Sequence, residues 1–241
     1  MEQWFEPGHV AIVTGGSRGL GKAVARELIG LGIVTIIDGR DRGALEATRV
    51  ELAALGEVTA IAGDVSDPAH RGALIDAAQR RGRLDLLVNN ASTLGAVPLP
   101  RIDALTADVF ARLFAVNTAA PLLLMREALP LLLGAAEGAT VVNITSDAAV
   151  EAYPAWGGYG ASKAALEHAS RVLAAELDGT AVRVLVADPG DMDTQMHRDA
   201  IPDADPRDFV DPALVARALL EAIAHMHTPY ERVRLAEVVV K

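Results

Sequence analysis

Two residues four positions apart, Tyr159 and Lys163, carry side chains well suited to acid–base chemistry. They lie in the run Gly-Gly-Tyr-Gly-Ala-Ser-Lys at 157–163, where a helical pattern begins. Because residues i and i+4 share a face of a helix, the phenol and the ammonium can point into one site. A free tyrosine has a pKa of about 10, and a neighbouring ammonium is expected to lower that pKa by stabilising the phenolate. The pair is a candidate acid and base, although the spacing also fits a simple surface pair.

A glycine-rich segment near the start of the chain is the second candidate site. The strand-like run Val10–Val13 is followed by Thr-Gly-Gly-Ser-Arg-Gly-Leu-Gly at 14–21 and then by a helical pattern over 22–31. Glycines permit a tight turn and a close approach of the backbone to a ligand, and the first amides of a helix attract a pyrophosphate. The glycine spacing is G-x-x-x-G-x-G, a variant of the most common dinucleotide fingerprint. A glycine turn without a ligand is the alternative interpretation.

Composition excludes several function classes. The chain has 241 residues with a net charge of −10, which argues against a nucleic-acid or anionic-membrane surface. It has no cysteine, so disulfides, thiolate metal sites and thiol nucleophiles are excluded. His225 and His227 have no third ligand nearby in sequence, and we expect no metal site. No secretory signal precedes Val10 and no long uncharged apolar run appears, so we expect a cytoplasmic protein without a membrane span.

The rest of the chain alternates short apolar strands with longer helical patterns. After Val10–Val13, strands are predicted at 34–37, 58–61, 84–88, 140–144, 182–187 and 233–240. After the second strand and the polar segment 38–42, a helix is predicted to about residue 55. Further helices are predicted from Asp67-Pro68 to about 81, over 106–133 with a kink at Pro121, over 157–178, and from Asp211-Pro212 to about 227. Continuous apolar strands that alternate with helices indicate a parallel sheet covered on both faces. We therefore expect one α/β domain over 1–241, a Rossmann-type, doubly wound, mainly parallel seven-stranded sheet with helices on both faces.

The polar clusters all follow predicted strands, at the edge of the sheet where ligands of such folds bind. These clusters are 15–21, 38–42, 64–65, 89–92, 145–146 and 188–194. Their convergence on one edge is stronger evidence for a site than any single motif.

Taken together, the motifs resemble those of the short-chain dehydrogenase/reductase family, in its short single-domain branch. The resemblance extends from Val10 to about Thr194, and Ser146 precedes Tyr159 by the 13 residues usual in that branch. The residues that carry it are Thr14, Gly15, Gly19, Gly21, Asp64, Val65, Asn89, Asn90, Ala91, Asn117, Ser146, Tyr159, Lys163, Pro189, Gly190 and Thr194.

The resemblance implies an oxidoreductase that interconverts a carbonyl and an alcohol on a small-molecule substrate. Tyr159 would be the general acid or base, Ser146 would polarise the substrate oxygen, and Lys163 would assist Tyr159 and hold the nicotinamide ribose. Asn117 would interrupt the long helix and hold a water on the proton path from Lys163. The implied cofactor contacts are Gly15, Ser17, Arg18, Gly19, Leu20, Gly21, Arg40, Asp64, Val65, Asn90, Ala91, Ser92, Tyr159, Lys163, Pro189, Gly190, Met192 and Thr194.

Three features depart from the family pattern. Ser92 stands where the Asn-Asn-Ala motif usually continues with glycine, which narrows the backbone freedom beside the nicotinamide. Asp188 replaces a small apolar residue before Pro189 and is either a structural carboxylate or a charge near the substrate mouth. The C-terminal stretch 230–241 lacks the glycine-containing ending of many relatives.

By resemblance, residues 191–209 correspond to the family's substrate lid.

The choice of cofactor depends on charge placement after the second strand. NAD-selecting enzymes usually offer a carboxylate to the ribose there, whereas NADP-selecting enzymes offer guanidinium groups to the 2′-phosphate. By resemblance, Arg18 and Arg40 occupy the two positions at which NADP-dependent relatives carry basic residues. Asp38 lies one residue before the position of the NAD-selecting acid, which is Gly39 here. We therefore predict NADP(H), while a one-residue shift of the turn would bring Asp38 to the ribose and favour NAD(H).

Other function classes stay open at this stage. A dinucleotide-binding regulator of the same fold would show no turnover, and an epimerase or dehydratase would generally carry a longer C-terminal substrate domain. The lid has no dominant basic cluster, which disfavours a phosphorylated or carrier-bound substrate. By resemblance, we expect a homodimer or homotetramer that pairs through the helices at 106–133 and 157–178.

Overall fold

The computed structural model describes residues 5–205, 207 and 209–236. The strands are β1 Val10–Val13, β2 Val34–Gly39, β3 Val58–Ala62, β4 Leu86–Asn89, β5 Ala139–Ile144, β6 Val182–Asp188 and β7 Tyr230–Arg234. The α-helices are α1 Gly19–Gly30, α2 Arg42–Ala53, α3 Pro68–Gln79, α4 Ala107–Phe114, α5 Ala120–Leu133, α6 Gly157–Glu176, α7 Gln195–Ala200 and α8 Pro212–Ala224.

The strands form one seven-stranded sheet in the order β3-β2-β1-β4-β5-β6-β7, and every neighbouring pair is parallel. The order reverses between β1 and β4, which creates a crevice at the carboxyl ends of these two strands. The single-domain, doubly wound α/β fold expected from the sequence is confirmed.

Two apolar cores lie on opposite faces of the sheet. Alternate residues of β1 separate between them, with Ala11 and Val13 in one core and Val10 and Ile12 in the other. Helices α1, α2 and α8 contribute to the first core, and helices α3, α5 and α6 contribute to the second. This two-sided burial explains the continuous apolar strands of the sequence.

Helix starts follow the capping signals in the sequence. Asp67 and Asp211 each accept a hydrogen bond from the amide two residues later, and each precedes a proline in the first turn. Both predicted caps are confirmed.

The predicted helix over 106–133 is divided, and the division differs from the expected kink at Pro121. Helix α4 ends at Phe114, residues Ala115–Ala119 form one π-helical turn, and α5 begins at Ala120. Pro121 has no N–H to donate to the carbonyl of Asn117 four residues earlier, which explains why the wider turn precedes the proline. The interruption therefore centres on Asn117, as the family resemblance implies.

The last strand was predicted at 233–240, but β7 spans Tyr230–Arg234. Its partner β6 ends at Asp188, which pairs with Arg234, and Pro189 cannot extend the ladder because it lacks an N–H. Residues 237–240 lie outside the described part of the chain. Strand β1 has the predicted bounds, and the ends of β2 to β6 lie within two residues of prediction, as at β4, predicted at 84–88.

One helical stretch, Ala107–Leu133, is apolar and long enough to cross a membrane by length and composition. Its residues Leu124, Met125 and Leu132 pack in the second core against the sheet. Arg126 and Glu127 interrupt the stretch. It therefore packs as a core helix of the α/β fold.

Candidate active site

A cleft of about 560 Å³ opens at the carboxyl ends of the strands, at the reversal point of the sheet. Of the predicted site residues, Gly15, Ser17, Arg18, Gly19, Leu20, Arg40, Asp64, Val65, Asn90, Ala91, Ser92, Tyr159, Lys163, Pro189, Met192 and Thr194 line this cleft. Gly21, Asn117, Ser146 and Gly190 lie outside its lining. The structure thus brings most of the predicted residues into one elongated site.

The glycine loop is shaped by close backbone contacts. Gly15 and Gly19 have φ angles of +68° and +53°, in the left-handed region that favours glycine. A Cβ on Gly21 would lie 2.4 Å from the Gly15 carbonyl oxygen, so only glycine fits there. Within the described residues, no side chain caps the start of α1. Its first amides therefore offer a phosphate-binding terminus.

Thr14 and Asn90 fix this loop to the end of β4. The Asn90 side-chain amide donates to the Thr14 carbonyl at 2.8 Å, and the Thr14 hydroxyl accepts from the Asn90 and Ala91 backbone amides at 3.0 Å. Asn90 thus lines the cleft and also holds the glycine loop through its side chain.

At the end of β2, Asp38 belongs to the cleft lining, but it is only 1% exposed as a residue and both of its carboxylate oxygens are engaged. One oxygen accepts from the Gly15 amide at 2.6 Å, and the other lies 2.9 Å from His70 Nε2. Arg18 and Arg40 are exposed at the cleft wall, and within the described chain neither forms an ion pair. The basic groups are therefore accessible at this end, whereas the acid is occupied.

Asp64, beside this end of the cleft, forms an ion pair with Arg112. Partial burial acts to raise the pKa of Asp64, but hydrogen bonds from Arg112 and Ser66 outweigh it and lower that pKa to about 2. Arg112 comes from α4 and was not identified from the sequence, because no local pattern relates it to Asp64.

Tyr159 and Lys163 lie one turn apart on α6 and both are buried, with residue exposures of 8% and 2%. Lys163 Nζ donates to the Ile144 carbonyl at 2.8 Å and lies 5.7 Å from the centre of the Tyr159 ring. Burial lowers the pKa of Lys163 to about 8. The predicted shared face is confirmed.

The pKa of Tyr159 differs from the sequence-based expectation. Burial raises it to about 12; a hydrogen bond with Ser92 opposes the shift, and the carboxylates of Asp188 and Asp147 add to it. The lowering expected from Lys163 is therefore wrong in direction, because burial of the phenol and the two carboxylates raise this pKa.

Ser146 is half-buried at the end of β5, where a short 3₁₀ turn begins. Its hydroxyl donates to the Asp147 carboxylate at 3.0 Å and accepts from the Ala148 amide at 3.2 Å. Its predicted role toward a substrate oxygen stays a prediction.

Ser92 is the hydroxyl that hydrogen-bonds Tyr159. It donates to Asn117 Oδ1 at 3.2 Å, and Asn117 Nδ2 donates to Ser162 at 3.0 Å. Ser162 in turn donates to the Tyr159 carbonyl at 2.7 Å. The Asn117 side chain on the π-helical turn is thus linked to Tyr159 in two ways, through Ser92 to the side chain and through Ser162 to the backbone carbonyl. In the sequence, the only sign of this network was that residue 92 is serine instead of glycine.

Of the two roles considered from the sequence for Asp188, the structure supports that of a structural carboxylate. Its carboxylate accepts from the Gly190 amide at 3.1 Å and lies 3.5 and 3.9 Å from Arg234 and Arg232 of β7. Burial raises the pKa of Asp188. It is a structural carboxylate whose negative charge also acts on Tyr159.

Behind the site, a buried ion pair joins helix α6 to the last strand, β7. Arg232 Nε lies 3.1 Å from both carboxylate oxygens of Glu167, one helical turn after Lys163. Glu167 also accepts from Thr145, which lines the cleft, at 2.7 Å. Neither Glu167 nor Arg232 was singled out from the sequence, because they are distant in the chain.

The predicted lid carries the short helix α7, capped by Thr194. A single parallel bridge between Met192 and Val210 closes its base. Asp191 and Asp193 pair with His197 and Arg198 within the lid. These charges are thus balanced locally.

Residues 9–205 match the family model described as short chain dehydrogenase. The chain is 36% identical over 204 residues to the rhamnolipids biosynthesis 3-oxoacyl-[acyl-carrier-protein] reductase of Pseudomonas aeruginosa, covering 82% of this chain and 78% of that protein. It is 31% identical over 206 residues to the chloroplastic NADPH-dependent aldehyde reductase 2 of Arabidopsis thaliana, covering 78% of this chain and 74% of that protein.

Among solved structures, the Pseudomonas aeruginosa RhlG/NADP active-site complex superposes with a TM-score of 0.84 at 31% identity, covering 97% of each chain. The family match, these similarities and the shared sheet lead to one conclusion: the chain is an oxidoreductase of the short chain dehydrogenase family.

Proposed function

We propose that this protein is an NADP(H)-dependent oxidoreductase that interconverts a ketone or aldehyde and the corresponding alcohol. One observation carries the proposal above the others. The buried pair Tyr159 and Lys163 lies on the wall of a cleft whose other end is formed by a glycine loop and two exposed arginines. This arrangement combines an acid–base pair with a dinucleotide-shaped site.

The residues present fit a dinucleotide. The free amides at the start of α1 suit the pyrophosphate, and the positive φ of Gly19 lets the backbone approach it closely. Lys163, on the cleft wall, would hold the nicotinamide ribose. When bound, the nicotinamide ring supplies or accepts the hydride.

Tyr159 would move the proton. In carbonyl reduction its neutral phenol donates to the developing alkoxide, and a pKa of about 12 keeps it protonated at neutral pH. In alcohol oxidation the Lys163 ammonium would stabilise the phenolate that must form, and the Ser92 hydroxyl would donate to it only by leaving Asn117 Oδ1. Ser146 would polarise the substrate oxygen once a substrate displaces its local bond to Asp147.

The preference for NADP(H) rests on the end of β2. Arg18 and Arg40 are exposed where a 2′-phosphate would lie, and arginine's planar fork suits phosphate. Asp38 is satisfied by Gly15 and His70 instead of facing the ribose. The relative named as an NADPH-dependent aldehyde reductase and the solved NADP complex support the same choice.

The substrate end of the cleft favours an uncharged carbonyl compound. Leu94, Val97, Met192 and Met196 line it, and the Trp156 ring contacts the Tyr159 ring edge-on at 5.5 Å. The negative charges of Asp147 and Asp188 reach Tyr159 and would repel an anionic group next to the reacting carbonyl.

We also propose that the enzyme acts as a homodimer or homotetramer in the cytoplasm. Phe110 of α4, Leu133 of α5 and Val172 of α6 are each more than 40% exposed and lie on the helices expected to pair. Light scattering at micromolar concentration tests this, and a monomer would contradict it.

The experiment that tests the function is a screen of the purified protein. NADPH and NADH are supplied with a panel of ketones and aldehydes, then NADP⁺ and NAD⁺ with the alcohols. Turnover with NADPH that is lost in Tyr159→Phe is expected. Tight NADPH binding without turnover of any panel member would instead support a dinucleotide-binding regulator.

A further inference from the structure

One buried contact at the cofactor end of the cleft has no part in the chemistry proposed above. His70 of α3 and Asp38 of β2 are 7% and 1% exposed, and Nε2 and Oδ2 lie 2.9 Å apart. A carboxylate can only accept hydrogen bonds, so the imidazole Nε2 carries the donating hydrogen.

Three hydrogen bonds tie residue 38 to the glycine loop and to α3. Asp38 Oδ1 accepts from the Gly15 amide at 2.6 Å, and its backbone carbonyl accepts from the Gly16 amide at 2.9 Å. The third bond is the one to His70. Both oxygens of the Asp38 carboxylate are therefore used below the loop.

The His70 ring is held in place from its other side. A Cβ on Gly63 would lie 2.2 Å from His70 Nδ1, so residue 63 must be glycine for the ring to fit. The Gly63 amide donates to the Gly39 carbonyl at 3.0 Å, which joins the ends of β3 and β2. His70 thus lies beneath both loops that border the adenosine end of the cleft.

We infer that His70 is a positioning residue for cofactor selection. By holding the Asp38 carboxylate under the glycine loop, it keeps that one charge, at a residue of the cleft lining, from turning toward the 2′-phosphate position beside Arg18 and Arg40. The same bond fixes the Gly15 conformation and therefore the phosphate-binding start of α1. This inference rests on the proposed NADP(H) function.

The physical argument is one of unmet hydrogen bonds. Removing the Nε2 donor leaves a buried carboxylate oxygen without a partner, and that charge then gains by turning toward water in the cleft. There it would repel the 2′-phosphate and offer an acceptor to the ribose of NADH. Loss of the Nε2 donor should therefore weaken NADPH binding and also reduce the preference for NADPH over NADH.

The test measures dissociation constants of NADPH and NADH by fluorescence titration, with kcat at saturating cofactor and Tm for each variant. His70→Leu removes the donor, and His70→Gln places an amide donor near the Nε2 position. His225→Leu, at an exposed histidine after α8, is the matched control. His70→Asn, too short to reach Asp38, replaces His70→Leu if that variant does not fold.

We expect His70→Leu to raise the Kd of NADPH at least tenfold and to narrow the NADPH/NADH ratio at least tenfold, with kcat changed less than threefold. His70→Gln and His225→Leu should stay within threefold of wild type. The double variant His70→Leu/Asp38→Asn should recover the ratio, because it removes the displaced charge. A merely structural role would lower Tm and leave the ratio unchanged.

An NADPH Kd for His70→Leu within twofold of wild type, at a temperature where the variant is folded, would overturn the inference. The wild-type arm reports separately on the proposed function. Equal wild-type affinity for both cofactors would reject NADP(H) selectivity and the selection role of His70 with it. The change in Kd of either cofactor would then still decide whether His70 positions the loop.

Discussion

Lys163 Nζ donates to the carbonyl oxygen of Ile144 at 2.8 Å, joining helix α6 to the last residue of β5. The ammonium is thus held by a strand end beside the cleft and not by a carboxylate. This arrangement orients Lys163 toward the Tyr159 ring and leaves its charge poorly solvated, which is why its pKa falls to about 8.

Removing the phenol should stop chemistry and spare binding. Tyr159→Phe is expected to lower kcat by roughly 10³-fold, because general acid–base catalysis contributes about 10²–10⁴-fold. The NADPH Kd should change little, and Lys163→Ala should impair both. Single-turnover kinetics and fluorescence titration measure the two effects; a Tyr159→Phe enzyme that keeps most of its kcat would reject the mechanism.

The buried lysine should make stability depend on pH. The folded pKa of Lys163 is about 8, below its ordinary value of 10.5, so the folded state releases its proton first as pH rises. Stability contributed by this residue therefore increases between pH 8 and 10.5, by at most about 3 kcal/mol. Denaturant unfolding of wild type and Lys163→Met at pH 7.5 and 10 checks it: the difference between them should shift in favour of wild type at pH 10.

The raised pKa of Tyr159 should make stability change with pH in the direction opposite to that for Lys163. Its folded pKa of about 12 exceeds its ordinary value of 10.0, so its contribution is present below pH 10 and lost between pH 10 and 12. Carbonyl reduction should show no loss of a protonated tyrosine up to pH 9. A Tyr159-dependent fall in kcat for reduction below pH 9 would contradict this environment.

Arg40, which lines the cleft, should contribute more to the use of NADPH than Arg42, which lies close by outside the cleft lining. Arg40→Asp is expected to lower kcat/KM for NADPH by about 10–100-fold, because a charge-assisted contact to phosphate becomes a repulsion. Arg42→Asp is the control, since Arg42 is exposed close by yet outside the cleft lining. Steady-state kinetics with NADPH and NADH decide it, and equal losses in the two variants would point to a general effect of charge.

The buried ion pair between Arg232 and Glu167 should contribute more to the free energy of unfolding than an exposed ion pair does. Arg232→Met leaves the Glu167 carboxylate, whose side chain is 3% exposed, without its guanidinium partner, so we expect a loss of about 3 kcal/mol in unfolding free energy. Arg81→Met, which breaks the exposed pair with Glu57, should cost less than about 1 kcal/mol. Urea unfolding compares them, and similar losses would show that burial adds nothing here.

Local patterns predicted much of this protein. The strand-loop-helix at Gly15 to Gly21, the caps at Asp67 and Asp211, and the shared face of Tyr159 and Lys163 all follow from spacing within one turn or loop. The parallel, doubly wound sheet follows from the alternation of strands and helices.

What the sequence did not predict depends on pairs distant in the chain. His70 and Asp38 are 32 residues apart, and Arg232 and Glu167 are 65 apart, so no periodicity links them. The direction of the Tyr159 pKa shift was missed because burial and two carboxylates act on it from elements that the motif does not contain. The end of β7 was missed because strand propensity does not reveal where the partner strand stops.

The bond between Glu167 and Arg232 also bears on how the protein matures during synthesis. A growing chain folds from its N-terminal side, so β1 to β6 and helix α6 emerge from the ribosome before residues 230–234. Until β7 arrives, the Glu167 carboxylate on helix α6 has no guanidinium to neutralise it, and Asp188 lacks Arg232 and Arg234. The ion pairs that join Glu167 and Asp188 to β7 can therefore form only when the last strand docks.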